Sequence, residues 1–183
     1  MVAERRLKCY ELTAVATVYL TDYVEELKRV GEVVFRRRHP APVLIVTGKA
    51  AELVESRSSR EVTMVARPAT EQIKEMALMN RVFPIVKAAY SPRGPVLLGR
   101  TADNDVAIPE YSISKRHCFF EFQPGKVFVC DCGSTNGTIV NEQRLEAKTP
   151  SQLKGGETIT LGRYAFMFQT AAGFLEYVQA LPV

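Results

Sequence analysis

Apolar positions change their spacing along this chain. Leu12, Ala16, Tyr19, Tyr23, Leu27 and Val30 recur at intervals of three and four. That is the repeat of one helical face, and it predicts an amphipathic helix over about residues 9–30, ended by Gly31. Thr13, Val15, Thr17 and Val18 are mediocre helix formers, so a competing reading starts the helix at Asp22, with Glu25 completing a capping box. Pro42 to Thr47 and Glu61 to Ala66 read as buried strands. Lys49 to Ser56 reads as a short helix, Ser56 to Arg60 as an exposed loop, and Thr70 to Asn80 as a further helix.

From Val82 onward the texture changes. Short β-like runs follow one another, separated by turn residues. Phe83 to Lys87 precedes the turn cluster Ser91-Pro92-Arg93-Gly94-Pro95, which leads into Val96-Leu97-Leu98. Cys118 to Phe122 and Lys126 to Cys130 flank Gln123-Pro124-Gly125, a hairpin signal. Tyr164, Phe166 and Phe168 alternate with Ala165 and Met167, a period-two strand, and Phe174 to Val178 suggests a turn or two of packing helix. Closely spaced strands of this kind predict a mainly β fold, an antiparallel sandwich or barrel, preceded by a small α+β region. The expected division is residues 1–80, 81–171 and a helical tail at 172–183.

Composition narrows the class. With 183 residues, 46% apolar and 24% charged, the chain has the make-up of a globular protein and room for one domain or two small ones. The longest near-apolar run, Ala14 to Leu20, is far short of the roughly 20 residues a bilayer span needs. No secretory signal follows Met1, so a cytoplasmic setting is expected. The net charge of +4 divides equally between residues 1–80 and 81–183. Only Arg36-Arg37-Arg38 suggests a basic face, and a solvated strand end or loop is its simpler account; nucleic acid is not the expected partner. Cys9, Cys118, Cys130 and Cys132 form no framework and read as reduced thiols. Cys130-Asp131-Cys132 lacks a second ligand pair for a metal. His117-Cys118 makes a poor nucleophile–base pair, since strand neighbours point to opposite faces. No metal, cofactor or catalytic group is expected.

The informative residues lie between the strands. Four stretches stand out: Gly99-Arg100 with Asn104 to Ile108; Ser114-Lys115-Arg116-His117; Ser134-Thr135-Asn136-Gly137-Thr138 with Val140-Asn141; and Leu153 to Gly162. An arginine at a strand end can grip an anion with a bidentate fork, Ser114 offers a hydroxyl, and Lys115 a mobile cation. Thr135-Asn136-Gly137 suits a turn in which Asn bonds backbone and Gly takes positive φ.

In order and spacing these stretches resemble the forkhead-associated (FHA) domain, a phosphothreonine-recognition β-sandwich, over about residues 82–170. The resemblance implies that Arg100 and Ser114 contact the phosphate, with Lys115 in support. It implies that Thr135 and Asn136 hold the peptide around the phosphothreonine, Thr135 near its methyl group. Ser112 falls where some members read the residue three places further on. Gly99, His117 and Gly137 take structural roles. Glu142 departs from the pattern, following Asn141 where glycine is frequent. The expected function is a non-catalytic adaptor whose partner is a phosphothreonine-containing protein or a Ser/Thr kinase. A scaffold of the same fold without phosphopeptide binding is the alternative. The amino-terminal region is left without a family; self-association through it is the second partner expectation.

Overall fold

The computed structural model describes residues 18–50 and 78–182. Among these residues two sheets face one another, and three helices cover the outer face of the larger. In chain order the elements are β1 (Val18–Tyr19), α1 (Leu20–Val30), α2 (Glu32–Arg38), β2 (Val43–Lys49), β3 (Arg81–Pro84), β4 (Val96–Gly99) and β5 (Val106–Ala107). β6 (Cys118–Gln123), β7 (Lys126–Asp131), β8 (Thr138–Val140), β9 (Gln143–Arg144), β10 (Ser151–Leu153), β11 (Thr158–Leu161) and β12 (Tyr164–Gln169) follow, and α3 (Ala171–Ala180) closes the described chain. The larger sheet runs β1-β3-β2-β12-β11-β8-β9 and the smaller β10-β7-β6-β4-β5. Among the described residues every strand pairing is antiparallel except β4 with β5.

β2 explains why its sequence reads as an unbroken apolar run. Leu44 and Val46 point into the core between the sheets, beside Leu98, Phe120, Ile159, Phe166 and Phe168. Val43 and Ile45 point the other way, into a second core with Leu20, Tyr23, Phe35, Phe174 and Val178 from the helices. A strand buried on both faces has no polar alternation to show. β2 is hydrogen-bonded between β3 and β12, with Leu44 opposite Phe168 on one side and Phe83 on the other. A boundary near residue 80 therefore passes through this sheet, separating β2 from both of its neighbours.

Several local expectations shift. β1 takes Val18 and Tyr19 out of the predicted helix, α1 starts at Leu20 rather than at Asp22, and the part of the prediction before Val18 lies outside the described residues. Asp22 sits one turn into α1, and its carboxylate accepts the Tyr19 N–H at 2.8 Å. Gly31 does end α1, at φ +74°, but a second helix starts at once. The Arg36–Arg38 run is thus helical rather than a strand end or loop, and much of its charge is used internally. Arg36 pairs with Glu32, while Arg38 and His39 both pair with Glu26. Lys49 belongs to a strand, not a helix. The strand at 61–66 and the segments at 51–56 and 70–77 lie outside the described residues. α3 is longer than the tail suggested, because Thr170 Oγ1 caps it by accepting the Gly173 N–H. Its apolar side, with that of α1, is spent on the sheet. At the β8–β9 turn, Asn141 and Glu142 take φ of +47° and +71°, and the second is where glycine was the frequent residue.

Candidate functional site

Three loops meet at one end of the sandwich: the β4–β5 loop, the β5–β6 loop and the β7–β8 loop. They enclose a cleft of about 230 Å³ lined by Arg100, Tyr111, Ser112, Ile113, Ser114, Lys115, Thr135 and Asn136. All six residues expected to contact a phosphopeptide are among them.

The loops are tied to one another by backbone and side-chain bonds. Arg100 N–H donates to the Ser114 carbonyl at 2.9 Å, and its Nη1 reaches the Tyr111 carbonyl at 3.3 Å. Ser114 Oγ accepts the Thr135 N–H at 3.0 Å. Asn136 Nδ2 donates to the Ser112 carbonyl at 2.7 Å. Each cross-loop bond joins residues from the β5–β6 loop to one of its neighbours, so the cleft is assembled before any ligand arrives.

Gly99 is required by close approach. A Cβ there would overlap the Lys115 carbonyl and crowd Asn104 Nδ2. That same carbonyl accepts bonds from Asn104 Nδ2 at 2.7 Å and Thr101 Oγ1 at 3.1 Å, which fix the backbone from which Lys115 projects.

His117 is fully buried and braces two loops. Its Nδ1 accepts the Ser114 N–H at 3.0 Å, so that nitrogen carries no proton, and Nε2–H donates to the Gly137 carbonyl at 3.1 Å. The ring is therefore neutral. Burial holds its pKa below the ordinary value, although the Gly137 carbonyl and the Asp131 charge pull the other way. Gly137 itself takes φ +76°, as expected of the turn.

Sequence reasoning missed three contributors. Asp131, nearly buried, accepts from the Gly133 and Ser134 N–H groups and from the Ser134 and Thr138 hydroxyls, all within 2.9 Å. Burial pushes its pKa up, but those bonds outweigh it and hold the carboxyl below its usual range. The spacing Asp131-x-Gly133-Ser134 is an Asx-turn pattern and could have revealed it. Tyr111 lines the cleft, an exposed aromatic in a polar loop. Glu110 is buried; it accepts the Ser112 N–H at 3.0 Å and pairs with Arg163 at 3.2 Å. Among the described residues the cysteines line no part of the cleft. Cys118 and Cys130 are buried, and burial first of all raises their thiol pKa values, as it does at Cys132.

Comparisons with known proteins find likenesses confined to part of this chain. Residues 96–162 match the family model described as the FHA domain. An FHA domain-containing protein of Arabidopsis thaliana is 36% identical over 76 residues, 41% of this chain and 20% of that one. The glycogen accumulation regulator GarA of Mycolicibacterium smegmatis is 32% identical over 72 residues, 39% of this chain and 44% of its own length. The chain thus covers less than half of either relative. A solved structure described as an analysis of phosphothreonine-dependent FHA domain interactions aligns with 49% of this chain and 84% of its own, at 26% identity and TM-score 0.42. The family match falls on the strands and loops that build the cleft, so it is residues 96–162 of this chain that match the FHA domain.

Proposed function

We propose that this chain is a non-catalytic adaptor that binds phosphothreonine peptides in the cleft between the three loops. The observation that carries the reading is the convergence of Arg100, Ser114 and Lys115 on one cleft whose loops are already cross-bonded. A phosphate monoester brings about −1.5 to −2 charges and three acceptor oxygens at neutral pH. Arg100 supplies a fork of donors, Lys115 a second cation and Ser114 a hydroxyl. Thr135 and Asn136 line the same cleft, bonded to Ser114 and to the Ser112 carbonyl, and on this reading they hold the peptide around the phosphothreonine. His117, Gly99, Gly137 and Asp131 act through these residues by fixing their backbone.

The partner on this reading is a phosphothreonine-containing protein made by a Ser/Thr kinase, or the kinase itself. The regulator GarA is a relative whose name describes control rather than catalysis, which accords with an adaptor. Among the described residues no helix is long and apolar enough to cross a membrane. A cytoplasmic setting remains the expectation. The test is selection from a phosphopeptide library by the full chain, with Arg100→Ala as control. Wild type should retain phosphothreonine peptides and the variant should retain none above background. Retention of unphosphorylated peptides to the same extent would overturn the reading.

A further inference from the structure

We infer that Tyr111 is a specificity-determining contact of this cleft: a fixed aromatic platform selecting an apolar side chain that flanks the phosphothreonine, with Arg163 as the positioning residue that holds it. The inference rests on the phosphopeptide reading and deepens it.

Tyr111 combines exposure with restraint. It is 65% exposed, yet the Arg163 guanidinium lies 4.4 Å from its ring centroid and Nη1 donates to its phenol oxygen at 2.7 Å. Arg163 is anchored in turn. Its Nη2 bonds Glu110 Oε2 at 3.2 Å, and its backbone N–H donates to Ser112 Oγ at 3.1 Å. Burying the Glu110 carboxylate and immobilising two long side chains both cost free energy. An isolated surface aromatic needs no such support. Tyr90 offers the contrast: at 71% exposed its hydroxyl donates toward two loop carbonyls, of Ala102 and Asn104, and it lines no part of the cleft. A ring that is already fixed spares a ligand the ordering cost, which is how a platform gains affinity.

Reach and chemistry narrow what the platform takes. The Tyr111 carbonyl is 3.3 Å from Arg100 Nη1, so its backbone lies beside the phosphate-binding cation. A tyrosine side chain extends roughly 6–7 Å, and an extended peptide advances about 3.3 Å per residue. The ring therefore meets a residue two or three positions from the phosphothreonine. One ring face is covered by the guanidinium, and the accessible remainder offers apolar contact. A cationic side chain there would approach Arg163, Arg100 and Lys115 together. Ser112, the expected reader of a flanking residue, has its Oγ bonded to the Arg163 N–H and its carbonyl to Asn136. Both polar groups hold the loop, which moves the contact one residue back, to Tyr111.

The experiment is a fluorescence-anisotropy titration of the full chain with one phosphothreonine peptide in an alanine host. Leucine or lysine is placed singly at each of the three positions on either side. At one of these positions leucine should tighten wild-type binding about fivefold over alanine, and lysine should not. Tyr111→Ala should reduce that advantage to less than twofold, while Tyr111→Phe, which keeps the ring and loses the tether, should leave an intermediate value. Arg163→Gln should lower the leucine-to-alanine ratio, a quantity that a purely structural role would leave unchanged. Wild type showing no positional preference for leucine, or a preference undiminished in Tyr111→Ala, would overturn the inference while leaving phosphopeptide binding intact. Equal binding of phosphorylated and unphosphorylated host peptides would remove the underlying reading, and the inference with it.

Discussion

At the scale of single residues, the cleft depends on positions that never touch a ligand. Gly99 has a carbonyl lying where any Cβ would go, and that carbonyl belongs to Lys115. Gly99→Ala should therefore cost about 3 kcal/mol of stability, the upper part of the range for overpacking, because backbone rather than a flexible side chain must move. A chemical-denaturation midpoint unchanged from wild type would contradict this account. Arg100, Ser114, Thr135 and Asn136, which line the cleft, stand out in the sequence because each carries donors or acceptors in a loop between strands. Tyr111 and Glu110 were not, since a tyrosine and a glutamate in a loop look ordinary until Arg163, more than fifty residues away, is seen to hold both. Asp131 was less legible because an aspartate between two cysteines has the look of a metal-ligand motif as much as of the start of a turn.

Among the elements, β2 is the one whose role the sequence concealed. Its apolar run marked a buried strand, but nothing local to Val43–Lys49 indicates that its hydrogen-bonding neighbour on one side is β12, more than a hundred residues later. Non-local pairing leaves no periodic trace. The hairpin β6–β7, joined through Pro124-Gly125, was read correctly because its partners are adjacent in sequence. We propose that the described residues fold as one unit rather than as two domains meeting near residue 80. A fragment starting at residue 82 would lack Leu44 and Val46 from the core and expose the β12 edge. It should show a poorly dispersed amide spectrum and no cooperative melt, whereas the full chain shows both dispersion and cooperativity. A fragment that melts cooperatively with native-like dispersion would contradict the single unit. The end of α1 at Gly31 was legible, its start was not because β1 interrupts the periodicity at Val18–Tyr19, and α2 went unforeseen because Arg36-Arg37-Arg38 resembles a solvated loop more than a helix.

For the molecule as a whole, stability and the cleft are coupled through buried titratable groups. The folded state keeps His117 neutral with its pKa below 6.5, so as pH falls under about 6.5 the unfolded chain takes up a proton that the folded one refuses. Stability contributed this way is complete above that pH and declines below it, by up to about 1.4 kcal/mol per pH unit, until the folded pKa is reached. Asp105 is subject to burial that raises its pKa, but bonds from Lys87 and from the Leu97 and Ala88 amides hold it below the usual value. Asp131 behaves likewise, so both carboxylates keep their contribution above about pH 4 and lose it as pH falls through their lowered values. The melting temperature should accordingly decline from about pH 6.5 downward, and His117→Gln should flatten the upper part of that decline. A profile level between pH 7 and pH 5 would contradict the assignment. The central claim concerns one anion and one cleft, and isothermal titration tests it most directly. Phosphothreonine, phosphoserine and unphosphorylated versions of one selected peptide are titrated into wild type and into Arg100→Ala. Saturable binding of the phosphothreonine form alone, abolished in Arg100→Ala, is the result predicted; binding indifferent to phosphate, or undiminished in the variant, would contradict it.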